Sequence, residues 1–192
     1  MSSIVSLEVQ GSGFPMEMSG SNLSIKGFAG KKNTIIAESD TSITLSGGRR
    51  NDEIRLTGEG DGTLEGLLGN DTLFAGDGND TIMGGAGADV IDGGAGEDLI
   101  SGGMGADVIK GGSGDDVFEF MADEFESKAV DEILDFKDGM GDIIKIMGVS
   151  DSSMVSYDEK TGMVMIDGED AIKIAKGMDL EVTNDGDTWE LF

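Results

Sequence analysis

Six aspartates stand at nine-residue intervals in the middle of this chain: Asp71, Asp80, Asp89, Asp98, Asp107 and Asp116. Each is the sixth residue of a nonapeptide, and the four copies GGAGADVID, GGAGEDLIS, GGMGADVIK and GGSGDDVFE follow one another from Gly84 to Glu119. In those copies Gly fills positions one, two and four, and a large apolar residue fills position eight. Carboxylates can do two kinds of chemistry: paired across a substrate they move protons, and stacked with other oxygens they hold cations. The chain contains no His and no Cys, which removes Ser-His and Cys-His nucleophiles, thiolate sites and the usual zinc catalytic centres. Every phased Asp is accounted for by cation binding.

The same period dictates the elements that must position these side chains. Three Gly within four residues permit a tight turn with positive φ and bring main-chain carbonyls toward a common point. The residues after the Asp form a short strand whose alternation turns one side chain inward. One copy is therefore half a coil, two copies are a full coil, and turns on the same side recur every second copy. Asp89 stacks between Asp71 and Asp107, and Asp98 between Asp80 and Asp116, so two carboxylate ladders line opposite edges. At the strand spacing of about 4.8 Å the ladder members repel one another unless a cation lies between them. Oxygen-only donors with flexible coordination of about six to eight ligands select Ca²⁺ over Mg²⁺ or Zn²⁺. The inward row, Ile54, Leu64, Leu73, Ile82, Ile91, Ile100, Ile109 and Phe118, supplies one apolar residue per copy, too narrow a core to offset backbone ordering without metal.

Charge points the same way. Asp and Glu number 39 against 13 Lys and Arg, a formal net charge of −26, which opposes compaction without counterions and sets aside nucleic acid and anionic membranes as partners. The opening MSSIVSLEVQ lacks the basic and apolar regions of a cleaved signal, and no apolar run reaches bilayer length, so membrane insertion is not expected. The 33 Gly are phased against Asp and Ile rather than scattered as in a linker. GDGND lacks the later Glu of an EF-hand, and no Gly-rich phosphate loop is present.

The expected fold is all-β: a parallel β-roll (β-solenoid) with N- and C-terminal β caps. Residues 1–46 alternate at Val5, Leu7 and Val9, at Leu23 and Ile25, and at Ile43 and Leu45, which predicts strands that cap the first coil or form a separate small domain. The repeat region spans 47–119. GGRRNDEIR (Gly47 to Arg55) puts Asp52 in phase but Arg50 at position four; after Leu56, TGEGDGTLE (Thr57 to Glu65) has Gly62 in the Asp place and Asp61 one residue earlier. GLLGNDTLF and AGDGNDTIM then restore the phase. Residues 120–192 form a C-terminal capping region, with a short helix in MADEFESKAVDE, apolar strand residues Ile133, Leu134, Phe136, Ile143, Ile144 and Ile146, a hairpin turning at Asp158 to Gly162, and a strand in AIKIAKG. Trp189, Leu191 and Phe192 read as an exposed tail, and the 12 Met as gap-fillers of core and caps.

These nonapeptides resemble the RTX (repeats-in-toxin) family, the hemolysin-type calcium-binding nonapeptide-repeat proteins secreted by Gram-negative bacteria. The likeness is strong over Gly66 to Glu119, partial over Gly47 to Glu65, and extends to ILDFKDGMGDIIKI, which resembles the segment after the array in family members. It implies a parallel β-roll, folding driven by several Ca²⁺ ions, and export by a type I secretion apparatus that reads an uncleaved signal in the C-terminal region. It also implies ligand sets. One turn gives the carbonyls of positions two and four and its Asp; the turn two copies on gives the carbonyls of positions one and three and its Asp. Gly85, Gly87 and Asp89 thus join Gly102, Met104 and Asp107. Likewise Gly94, Gly96 and Asp98 join Gly111, Ser113 and Asp116, and Gly76, Gly78 and Asp80 join Gly93, Ala95 and Asp98. Gly84 and Ala86 hold positions one and three of their copy, and Asp71, Asp52 and Asp61 complete the candidate ligands; Arg50 and Gly62 depart from the motif at the first copies.

The function so implied is a secreted, non-enzymatic calcium-binding protein, extracellular or at the cell surface, that folds on Ca²⁺ binding after type I export. Two rivals stand beside it. One is a calcium-dependent assembly component, a surface-layer, matrix, adhesin or virion protein that self-associates. The other is the C-terminal secretion module of a larger exported enzyme, for which the 46 residues before the repeats leave no room for a catalytic domain.

Overall fold

After each ladder Asp the chain enters an apolar pair, Val90-Ile91, Leu99-Ile100, Val108-Ile109 or Val117-Phe118, in which the pleat turns the second residue inward and leaves the first at the surface. In a computed structural model of the chain, the described residues are 4–10, 16–19, 22–26, 30, 32–127, 129–137, 141–149, 155–176, 178, 180–184 and 188–192. Among them the strands assemble into two ten-stranded sheets. The spatial order of the first is Ile4–Gln10, Thr34–Ser39, Glu53–Thr57, Thr72–Phe74, Val90–Ala95, Val108–Ser113, Asp131–Ile133, Glu169–Lys173, Met163–Ile166, Val155–Asp158. That of the second is Val182–Asn184, Thr188–Leu191, Ile143–Met147, Val117–Met121, Leu99–Met104, Thr81–Ala86, Gly62–Leu68, Ile43–Gly48, Asn22–Lys26, Met16–Ser19.

From Asn22–Lys26 to Val155–Asp158 consecutive strands alternate between the two sheets, and the central strands pair in parallel. Leu73, Ile91 and Ile109 are in register in one sheet, and Leu64, Ile82, Ile100 and Phe118 in the other. All eight residues of the inward row are buried, which makes the fold the all-β parallel solenoid that the period predicts. The coil step is 18 residues through the regular copies and 19 before them. Leu56 is the extra residue between the first two nonapeptides, and it is buried.

The parallel pairing also reaches N-terminal of Gly47. Asn22–Lys26 pairs with Ile43–Gly48 and Thr34–Ser39 with Glu53–Thr57, because Ile35, Ala37, Ile43 and Leu45 alternate inward and carry the core there. Ile4–Gln10 and Met16–Ser19 are added antiparallel. Ile25 is buried; the side chains of Val5, Leu7, Val9 and Leu23 lie outside the described ones.

Toward the C-terminus, Phe120, Ile133, Ile144 and Ile146 continue the core, and the Phe118 and Phe136 rings meet at 6.1 Å. Leu134 is exposed, since alternation from buried Ile133 turns it out. The hairpin of Val155–Asp158 and Met163–Ile166 turns with the amides of Thr161 and Gly162 on the Asp158 carbonyl. Three expectations change. The helical segment is a 3₁₀ helix, Ala122–Ser127, acidic in its first turn and without a basic last turn. The terminal segment is not an exposed tail: Thr188–Leu191 pairs antiparallel with Ile143–Met147, and Leu191, opposite Ile144, is buried because it extends that strand's apolar inner face. Met83, Met104 and Met121 are exposed, at 40%, 57% and 41%, rather than filling the core.

Candidate metal centre

Each phased Asp sits at the junction of a glycine turn and the strand after it. Its carbonyl accepts the strand amide one coil on: Val90 N on Asp71, Leu99 N on Asp80, Val108 N on Asp89 and Val117 N on Asp98, all at 2.8–2.9 Å. Its own amide donates to Oδ1 of the next Asp in the stack. On one edge these bonds run Asp52 to Asp71 (2.6 Å), Asp71 to Asp89 (2.6 Å), Asp89 to Asp107 (2.8 Å) and Asp107 to Asp131 (2.8 Å). On the other they run Asp80 to Asp98 (2.8 Å), Asp98 to Asp116 (3.1 Å) and Asp116 to Asp142 (3.1 Å).

In seven of these carboxylates one oxygen is satisfied and the other is not. Oδ2 of Asp52, Asp71, Asp80, Asp89, Asp98, Asp107 and Asp116 is buried without a hydrogen-bond partner. A buried anion with an unpaired oxygen is costly, and here there are seven, four on one edge and three on the other. Burial raises Asp71, Asp89 and Asp98 to about 6 and Asp80, Asp107 and Asp131 to about 7, against the pull of the ladder hydrogen bonds and with a further push from neighbouring carboxylates. Asp52 and Asp116 are also raised by burial.

The unpaired oxygens share their hollows with main-chain carbonyls. A Cβ built on Gly84 would lie 2.6 Å from Asp89 Oδ2 and 2.5 Å from the Gly102 carbonyl oxygen; on Gly93 it would meet Asp98 Oδ2 at 2.5 Å and the Gly111 oxygen at 2.6 Å. On Gly47 it would meet Asp52 Oδ2 at 2.8 Å and the Gly66 oxygen at 2.7 Å. At Gly47, Gly66, Gly84 and Gly93 position one is thus a cradle that a side chain would close, where an orphaned carboxylate oxygen and the next coil's first carbonyl converge. The carbonyls of Gly85 and Gly87 press against Gly103 and Gly105, those of Gly76 and Gly78 against Gly94 and Gly96, and those of Gly94 and Gly96 against Gly112 and Gly114, too closely for any Cβ. The carbonyls of Ala86, Ala95, Met104 and Ser113 accept the amides of Gly69, Gly78, Gly87 and Gly96 at 2.8 Å and keep a second lone pair. Among the described residues no three carboxylates converge on one point, so a metal's shell there needs these carbonyls. The donor set is all oxygen, which suits a hard, flexibly coordinated ion such as Ca²⁺.

Two candidates behave differently. Asp61 is exposed and occupies position five, in an outer ladder where its Oδ1 accepts Asn79 N at 2.9 Å and Asn79 in turn accepts Glu97 N at 3.0 Å. Gly62 takes its place in the inner stack and donates to Asp80 Oδ1 at 2.5 Å, while the inserted Leu56 fills the space an Asp side chain would need. Arg50 keeps its side chain exposed and sets its carbonyl against Gly69, as the position-four glycines do. Reading by period missed Asn33, whose amide and Nδ2 cap Asp52 Oδ1, and the terminal rungs Asp131 and Asp142, which lie 24 and 26 residues beyond their partners. The usable signal is an Asp at the entry to a strand with an apolar inward residue, Ile133 after Asp131 and Ile144 after Asp142.

Residues 56–91 and 83–118 match the family model of the RTX calcium-binding nonapeptide repeat, four copies long. Repeats of this kind bind calcium ions, several to an array. No curated protein matches the chain. Among the described residues no helix is long and apolar enough to cross a membrane.

Proposed function

We propose that this chain, an RTX calcium-binding nonapeptide-repeat protein over residues 56–118, is a secreted, non-enzymatic protein that stays largely unfolded where calcium is scarce and folds around Ca²⁺ after type I export. The observation that carries this reading is the seven buried, unpartnered carboxylate oxygens of the two ladders. A divalent ion bound in the cradles neutralises them only in the folded coil, so metal binding and folding are one equilibrium. The inner layers supply the ligands: Gly85, Gly87 and Asp89 with Gly102, Met104 and Asp107, and the equivalent sets one copy to either side. The stretches on either side of the roll act as its caps, with antiparallel strands at each end of the sheets, and residues 120–192 carry the export signal.

Circular dichroism of the full chain in EDTA and then in millimolar Ca²⁺ tests the coupling. The β signal appears on adding calcium; a chain fully folded in EDTA at neutral pH refutes it. One observation favours a second reading, calcium-dependent self-association. Leu67, Met83, Met104 and Met121 line a shallow apolar groove on the outer face of one sheet. Light scattering with calcium decides it: particles that grow with protein concentration support assembly, and a monomer at high concentration excludes it.

A further inference from the structure

The layer between the 111–116 turn and residues 135–137 and 142 is built unlike the others. Gly112 holds position two, the position whose carbonyl in earlier copies faces the next turn, and its carbonyl oxygen here accepts Lys137 Nζ at 2.6 Å. The Asp135 carboxylate accepts the amides of Gly111 and Gly112, each at 2.9 Å. Asp142 accepts Asp116 N on Oδ1 (3.1 Å) and Lys137 N on Oδ2 (2.9 Å), so both of its oxygens are satisfied by the chain itself. In the same layer Asp116 Oδ2 is buried and without a hydrogen-bond partner.

We propose that Lys137 is the resident cation of this last layer: its ammonium stands on the carbonyl that would otherwise face calcium, and the layer takes no metal ion. An ammonium needs only about three acceptors, where Ca²⁺ requires six to eight oxygens. That matches a layer whose second turn is not a nonapeptide. A cation tethered to the chain needs no capture from solution. The C-terminal end of the roll therefore keeps a cation at any calcium concentration and presents a formed edge on which the preceding, calcium-filled coils stack.

This inference rests on the calcium reading above, and one set of measurements separates the two. The full-length wild type, Lys137→Gln and Lys137→Arg are refolded in millimolar Ca²⁺, and bound ions are counted by native mass spectrometry. Lys137→Arg keeps the wild-type count, and Lys137→Gln, which frees the Gly112 carbonyl and leaves Asp116 uncompensated, gains one ion. An unchanged count in Lys137→Gln overturns the inference whatever its stability. A wild type that holds no calcium overturns the functional reading instead. Should Lys137→Gln not fold, hydrogen exchange of the lysine ammonium groups in the calcium-loaded wild type decides. A Lys137 ammonium protected at least tenfold relative to exposed Lys160 supports the assignment, and one exchanging as fast overturns it.

Discussion

In the absence of calcium the roll's stability is governed by protons, and the ladders fix the sign. Burial holds the carboxyls of Asp71, Asp89 and Asp98 at about 6 and those of Asp80, Asp107 and Asp131 at about 7 in the folded chain, whereas a solvated Asp in the unfolded chain titrates near 3.9. Folding between those limits takes up protons. The stability of the protonated ladder is fully present below about pH 4 and is lost as pH rises through 6 to 7. A shift of about two units amounts to about 3 kcal/mol for each carboxyl that must be buried ionised. Two or three such groups are comparable with the whole net stability of a domain, about 5–15 kcal/mol.

The chain in EDTA is therefore expected to show little β-structure at about pH 8 and to gain it on acidification to about pH 5, still above the isoelectric point of 4.1. Far-UV circular dichroism and the fluorescence of Trp189 report the change. In millimolar Ca²⁺ the dependence reverses. The fold is complete at high pH, and the calcium midpoint moves to higher concentration on acidification, because protons and metal compete for the same oxygens. A calcium-free β signal that is independent of pH over this range, or that grows toward high pH, refutes the claim that unpaired ladder anions are what keeps the apo chain open.

Asp98→Asn keeps an acceptor for the Asp80 amide and removes a buried charge. In EDTA near neutral pH it is expected to stabilise the fold by about 1–3 kcal/mol, while in saturating calcium it loses at least one bound ion and unfolds at lower urea; destabilisation in both conditions counts against the metal role of Asp98. Gly105→Ala places a Cβ on the Gly87 carbonyl at φ +142°, so its calcium-induced folding midpoint is expected to rise at least tenfold, about 1.4 kcal/mol, whereas Gly30→Ala, with nothing within 4 Å, leaves it unchanged.

The parts of this fold that were legible in the sequence are those where one residue type has one job. Gly at positions one, two and four, Asp at six and an apolar residue at eight each meet a constraint that few other residues satisfy, so the period alone located both ladders and the inward row from Ile54 to Phe118. Legibility failed where a different residue met the same constraint. Leu56 fills the room that an Asp in place of Gly62 would occupy, which moved the candidate ligand Asp61 to the outer, exposed position. Asn33 supplies to Asp52 the donors that a preceding turn supplies elsewhere. Asp131 and Asp142 join the ladders across connections of irregular length, so no period reaches them, although a stacked sheet needs only that their strands land in register. The same reasoning accounts for Leu191: the inner face of Ile143–Met147 has to be covered by something apolar, and a chain end that alternates can do it from either strand direction. In a solenoid the repeat is thus an economical way to satisfy a layer, and the ends are where the same layer is satisfied by whichever side chains the chain brings there.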